Sequence, residues 1–156
     1  MSRQRAAGET LLIVEDDHAV RTALADLLIC SGYRVLTAED GRMALELLGS
    51  AIPGLIVTDL AMPVLSGWDL LRELRRRPDL ASVPVLVYSA EANEGARGAI
   101  PEDVPVVAKT GSADDLLEVI RDMLDHAVAQ SHRSVAAGGM PCRRAARLSV
   151  RAGLAP

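Results

Sequence analysis

Leu11-Leu12-Ile13-Val14-Glu15-Asp16-Asp17 is the stretch that decides the fold: four aliphatic residues without alternation, stopped by three acids. A half-exposed strand alternates apolar and polar side chains, whereas a strand covered on both faces reads as an unbroken apolar run. The stretch therefore predicts a buried strand, with the acids marking where it emerges at the sheet edge. Short runs at Arg34–Thr37, Leu55–Thr58, Val83–Tyr88 and Val104–Val107 repeat the pattern, each bounded by Gly, Pro or acids. Between them the period changes. Val20, Leu24, Leu27 and Leu28 share one helical face, and Gly32 follows as a stop. Asp17 stands where that helix needs an N-cap. Ala44, Leu47 and Leu48 form a second stripe, and Leu70, Leu71 and Leu74 a third, with Trp68 packing beneath it and Arg75-Arg76-Arg77 as its solvated end. Leu116, Ile120, Met123, Leu124 and Ala127 form a further helix, opened by Ser112 and Asp115 as a capping box. A fifth helix over Glu91–Ala99 is weakened by Gly95 and Gly98, each costing about 1 kcal/mol relative to Ala. Five strands alternating with five helices predict an α/β fold: a doubly wound parallel sheet with right-handed crossovers.

Charge divides the 156 residues unevenly. There are 17 basic and 21 acidic residues, so the net charge is 17 − 21 = −4. All 21 acids and 12 of the bases lie in residues 1–126, whereas residues 127–156 hold five Arg and no acid. This predicts an N-terminal extension over 1–8, a folded domain over 9–127 and a basic, disordered tail over 128–156. The tail arginines, Arg133, Arg143, Arg144, Arg147 and Arg151, would hold nucleic acid only weakly and salt-sensitively. One Trp, two Tyr and no Phe give an aliphatic core and argue against stacking on single-stranded nucleic acid. Cys30 and Cys142 have neither zinc spacing nor a disulfide framework. No apolar stretch approaches the ~20 residues of a membrane span, and the N-terminus is no signal peptide. Cytoplasmic residence is the expectation.

In an open parallel sheet, ligands bind beyond the carboxyl ends of the strands. There the sequence places Glu15, Asp16 and Asp17, then Asp59, Ser89 and Lys109, with Glu39, Asp40 and Gly41 nearer the edge. Several carboxylates cannot ionise together cheaply without a counter-charge. A hard divalent cation supplies one, and Mg²⁺ uses one or two carboxylates with waters and a phosphate. No Gly-rich phosphate loop or GxGxxG is present, so a nucleotide site is not indicated.

Ile13-Val14-Glu15-Asp16-Asp17, Asp59-Leu60-Ala61-Met62-Pro63 with Gly67, Val87-Tyr88-Ser89-Ala90, and Lys109 occur in this order, each motif at a strand end. Over residues 9–127 the chain resembles the receiver domain of two-component response regulators. The resemblance implies a flavodoxin-like sheet of order 2-1-3-4-5 in a stand-alone, single-domain member without a dedicated DNA-binding domain. It implies that Asp59 accepts a phosphoryl group from a sensor histidine kinase or a histidine phosphotransfer protein. Mg²⁺ would be held by Asp16, by Glu15 mainly through water, by Asp59 and by the backbone carbonyl of Ala61. Ser89 and Lys109 would bind phosphoryl oxygens, and output would pass to a downstream protein target by direct contact. Such a chain is a phosphoacceptor that assists its own phosphorylation and dephosphorylation, not an enzyme.

Two other readings also place an Asp at this strand end. A haloacid-dehalogenase-type phosphatase also uses an Asp nucleophile with Mg²⁺, but needs a second Asp two residues on, where this chain has Ala61. A non-phosphorylated interaction module would not need the acid cluster. Three positions depart from the family pattern. Thr110 follows Lys109 where proline is usual, and a cis bond there would cost about 3–4 kcal/mol, so the bond is either strained or trans. Val106 stands where many members place an aromatic switch residue. Ala61 cannot orient a hydrolytic water through its side chain. Glu91 is then the remaining candidate, and a long-lived phosphoprotein is expected.

Overall fold

β1 (Thr10–Val14) is flanked on both sides, by β2 (Arg34–Ala38) and β3 (Leu55–Thr58), and Leu11 to Val14 are fully buried. The computed structural model describes residues 8–90 and 98–137. β4 (Val85–Ser89) pairs with β3, and β5 (Val106–Ala108) with β4, giving a parallel five-stranded sheet of order β2-β1-β3-β4-β5. The helices are α1 (His18–Cys30), α2 (Gly41–Leu48), α3 (Gly67–Arg76) and α4 (Ala113–Ala137). This is the flavodoxin-like arrangement expected, with four helices among the described residues.

Successive side chains of a strand point to opposite faces, and this splits the apolar runs into two cores. Leu12, Val14, Ile56 and Val87 join Ala44 and Leu48 of α2 and Leu70, Leu71 and Leu74 of α3. Trp68 packs partly buried against the same core. Leu11, Ile13, Leu55, Val57 and Leu86 face the other way, onto Leu24 and Leu28 of α1 and Leu116, Ile120 and Leu124 of α4. Asp17 caps α1 as the sequence places it, its Oδ1 accepting from Val20 N at 3.0 Å, and Asp40, not expected as a cap, accepts from Met43 N at 2.8 Å. Ser112 Oγ accepts from the backbone N–H groups of Asp114 and Asp115. Arg75 and Arg76 pair with Asp103 and Glu73 while staying largely exposed, so the helix end is solvated as expected.

Two expectations are corrected, and a third falls largely outside the described residues. β4 and β5 start later than Val83 and Val104, because Pro84 and Pro105 have no N–H to give a ladder. Both prolines instead accept through their carbonyls, from Ile56 N and Val87 N, each at 2.9 Å. α4 runs past residue 127, so 128–137, expected in the disordered tail, is helical. That stretch contains no Gly or Pro before Gly138 and is rich in Ala, which sustains a helix. The helix expected over Glu91–Ala99 falls on residues 91–97, outside the described residues, while Gly98 and Ala99 form a turn. Residues 1–7 and 138–156, with Cys142 and four tail arginines, are also outside them. Among the described residues no helix is long and apolar enough to cross a membrane.

The loop from β3 to α3 is the tightest part of the fold. Gly67 N donates to Leu60 O at 2.9 Å, and a Cβ on Gly67 would stand 2.0 Å from the carbonyl oxygen of Asp59. Close approach of two backbones, not torsional freedom, demands glycine here. Replacing it forces the start of α3 off the end of β3. Gly67→Ala is expected to lower unfolding free energy by about 2 kcal/mol or more in urea titration; a change below 0.5 kcal/mol, within ordinary surface scatter, would contradict this packing.

Candidate functional site

The hydrogen bonds that build the sheet also deliver its functional side chains. Glu15 N donates to Ala38 O and Asp59 N to Val14 O, both at 3.0 Å, and Lys109 N donates to Ser89 O at 3.1 Å. Parallel pairing thus continues one residue beyond β1, β3 and β5 and anchors three side chains at one rim. Lys109 Nζ lies 2.8 Å from Asp59 Oδ2 and 2.5 Å from Glu15 Oε2. The remaining oxygens are held by backbone: Leu60 N donates to Asp59 Oδ1 at 2.7 Å, and Asp17 N to Glu15 Oε1 at 3.2 Å. Glu15 and Asp59 are buried, while Asp16 is exposed. One carboxylate oxygen from each of Glu15, Asp16 and Asp59 lies within 4.8 Å of the others.

The other expected site residues sit around this cluster. Ser89 ends β4, is 1 % exposed, and is joined to Lys109 through the ladder. Ala61 lies two residues beyond Asp59 in the exposed part of the β3–α3 loop. Glu91 is outside the described residues. No cis peptide occurs among the described residues, so Lys109–Thr110 is trans. Asp17 stands apart from the cluster's chemistry. The N–H of Val20 holds its carboxyl below the usual range, as befits an N-cap.

Charge does not balance at this rim. The formal charges of the cluster's three carboxylates and one ammonium sum to −3 + 1 = −2. Burial pushes Glu15 above the ordinary glutamate range, against the hydrogen bonds from Lys109 and from the Asp17 N–H that favour its charged form. Burial works to lower the pKa of Lys109, but its bonds to Asp59 and Glu15 prevail and raise it. Carboxylates in excess of their counter-charge could hold a hard cation, and the donors present are oxygens.

Gly67, named with the Asp59 motif in the sequence, presses on the Asp59 carbonyl, as described above. One further feature of the site carries no motif. Arg21 Nη1 donates to the backbone carbonyls of Glu15 at 2.7 Å and Asp16 at 3.3 Å. Its only sequence signal is its place one helical turn after Asp17.

The description "Response regulator receiver domain" matches residues 11–121. The chain belongs to the response regulator receiver family. It is 37% identical over 120 residues to the Regulator of RpoS from Escherichia coli K12, covering 77% of this chain and 33% of that protein. Sensor histidine kinase TmoS from Ectopseudomonas mendocina is 44% identical over 87 residues, 56% of this chain and 9% of that protein. The chain therefore spans a third or less of these relatives' length. Among solved structures, it resembles the receiver domain of a sensor histidine kinase from Pseudomonas aeruginosa PAO1, with a magnesium ion coordinated in the active site cleft. That likeness has a TM-score of 0.69 and 28% identity, and covers 76% of this chain and 99% of the other.

Lys109 is the positive group that directly contacts the two buried carboxylates, so its removal has a pH-dependent effect. Lys109→Met is expected to cost about 3 kcal/mol of stability at pH 7, because two buried charges lose their partner. Glu15 already has a raised pKa, so its contribution is full at pH below its unfolded value near 4.5 and fades as pH rises through the folded value. Without the ammonium that folded value rises further. The deficit of Lys109→Met should therefore shrink between pH 7 and pH 5 in urea titrations; a deficit that grows on acidification would contradict the assignment.

Proposed function

We propose that this receiver domain accepts a phosphoryl group on Asp59 in a Mg²⁺-dependent reaction. The donor is the phosphohistidine of a sensor histidine kinase or a histidine phosphotransfer protein. The observation that carries this reading is the Asp59 carboxylate, held between Lys109 Nζ and Leu60 N beside the carboxylates of Glu15 and Asp16. A carboxylate oxygen of Asp59 attacks phosphorus, the P–N bond breaks, and its electron pair returns to the imidazole, leaving an acyl phosphate. Phosphoryl transfer needs positioning and charge neutralisation more than covalent help. Leu60 N fixes the orientation of the acceptor carboxylate. Lys109 exchanges its contact with Asp59 for a phosphoryl oxygen, and Ser89 binds another. Asp16, Asp59, the Ala61 carbonyl and, mainly through water, Glu15 would hold Mg²⁺, which would neutralise charge on carboxylate and phosphate. The magnesium ion coordinated in the active site cleft of the Pseudomonas relative supports the choice of metal.

The reading makes the chain a phosphoacceptor, not a classical enzyme, acting in the cytoplasm through contacts with a downstream protein. Val106 gives it no aromatic at the usual switch position. Ala61 brings no polar side chain for hydrolytic water, which suits a long-lived phosphorylated state.

Intact-mass measurement after incubation with acetyl phosphate and Mg²⁺ tests the reading. The wild-type chain should gain one phosphoryl group, and Asp59→Asn none. Equal uptake by Asp59→Asn would overturn Asp59 as the acceptor.

A further inference from the structure

Three carboxylates of the proposed metal site are held in different ways. Glu15 and Asp59 are buried, and each is fixed by Lys109 on one oxygen and a backbone N–H on the other. Asp16 is exposed, so core packing does not restrain its side chain. What restrains it is the backbone on either side. The carbonyl of Glu15 belongs to the peptide plane before the Asp16 Cα, and the carbonyl of Asp16 to the plane after it. Arg21 Nη1 donates to both, at 2.7 and 3.3 Å. Fixing both planes fixes φ and ψ at Asp16, and with them the direction of its Cα–Cβ bond. Arg21 is itself anchored on the first turn of α1, where its N–H donates to Asp17 O at 2.8 Å. Its Nη2 lies 3.3 Å from His18 Nδ1, which limits rotation of the guanidinium.

We propose that Arg21 is a positioning residue for the Mg²⁺ site: by clamping the two carbonyls that flank Asp16, it aims that carboxylate at the ion. The proposal rests on the metal reading above. Groups that orient metal ligands commonly affect metal affinity 10- to 100-fold, and Arg21 would do so through the backbone without touching the ion. An ammonium at this position can still donate to carbonyl oxygens, but lacks the planar fork that locks the orientation.

The test measures Mg²⁺ binding to the full chain by calorimetry at constant ionic strength. Acetyl phosphate uptake is followed against Mg²⁺ concentration, and melting is measured in EDTA. Arg21→Met should raise the Mg²⁺ dissociation constant and the half-saturating Mg²⁺ for uptake about tenfold. Its maximal uptake rate and its melting midpoint in EDTA should stay near wild type. Arg21→Lys should recover part of the loss. A merely structural role would lower the melting midpoint and leave the half-saturating Mg²⁺ unchanged. If Arg21→Met folds poorly, Arg21→Gln replaces it with the same expectation. Wild-type Mg²⁺ affinity in a folded Arg21→Met or Arg21→Gln protein overturns the proposal, provided Asp16→Asn does lose affinity. A wild-type chain that binds no Mg²⁺ overturns the metal reading itself, and this inference with it.

Discussion

One ammonium group contacts two buried carboxylates, and the site is organised around that contact. Lys109 touches both Glu15 and Asp59, residues from different strands that would otherwise repel each other in a poorly solvated cleft. The lysine comes from β5, the acids from β1 and β3. The ion pairs therefore tie the end of the sheet's central strand to its β5 edge. The compensation is incomplete, since the cluster keeps a formal excess of two negative charges. On the proposed reading, that excess of charge would draw a hard cation to the rim, and with it a phosphoryl group.

The scaffold meets this demand with ordinary means. Past β1, β3 and β5 the next backbone hydrogen bond of the ladder places Glu15, Asp59 and Lys109. Such placement is rigid because it belongs to the sheet and not to a free loop. The β3–α3 connection then folds back so closely that Gly67 lies against the carbonyl of Asp59. Val64, in the same loop, is held at a φ of 67°, with Leu65 N bonded to Pro63 O at 2.8 Å across it. A β-branched residue is strained in that conformation. The loop beside Asp59 is thus tightly constrained.

Much of this was legible in the sequence because the signals were local. The unbroken run Leu11–Val14 announced a doubly covered strand, and the acids after it announced the rim. Asp59 and Lys109 could be placed because each directly follows an apolar run. Strand starts were misjudged at Pro84 and Pro105, where hydrophobicity continues but the N–H is missing. The end of α4 was misjudged because charge composition was read as a structural boundary. Arginine is compatible with a helix, and an Ala-rich stretch without Gly or Pro continues one. Arg21 and the Gly67 contact depend on distances between segments, which no single stretch of sequence encodes.

The central claim is that excess negative charge at this rim makes a divalent-cation site. Its most direct test is the melting midpoint of the full chain at pH 7 across a Mg²⁺ titration, with KCl-matched ionic strength as control. A ligand that binds only the folded state raises stability in proportion to the logarithm of its concentration above Kd. The account predicts a midpoint that rises with Mg²⁺ beyond the matched KCl control, and that this rise is lost in Asp16→Asn. A wild-type midpoint that is the same in Mg²⁺ as in matched KCl would contradict it.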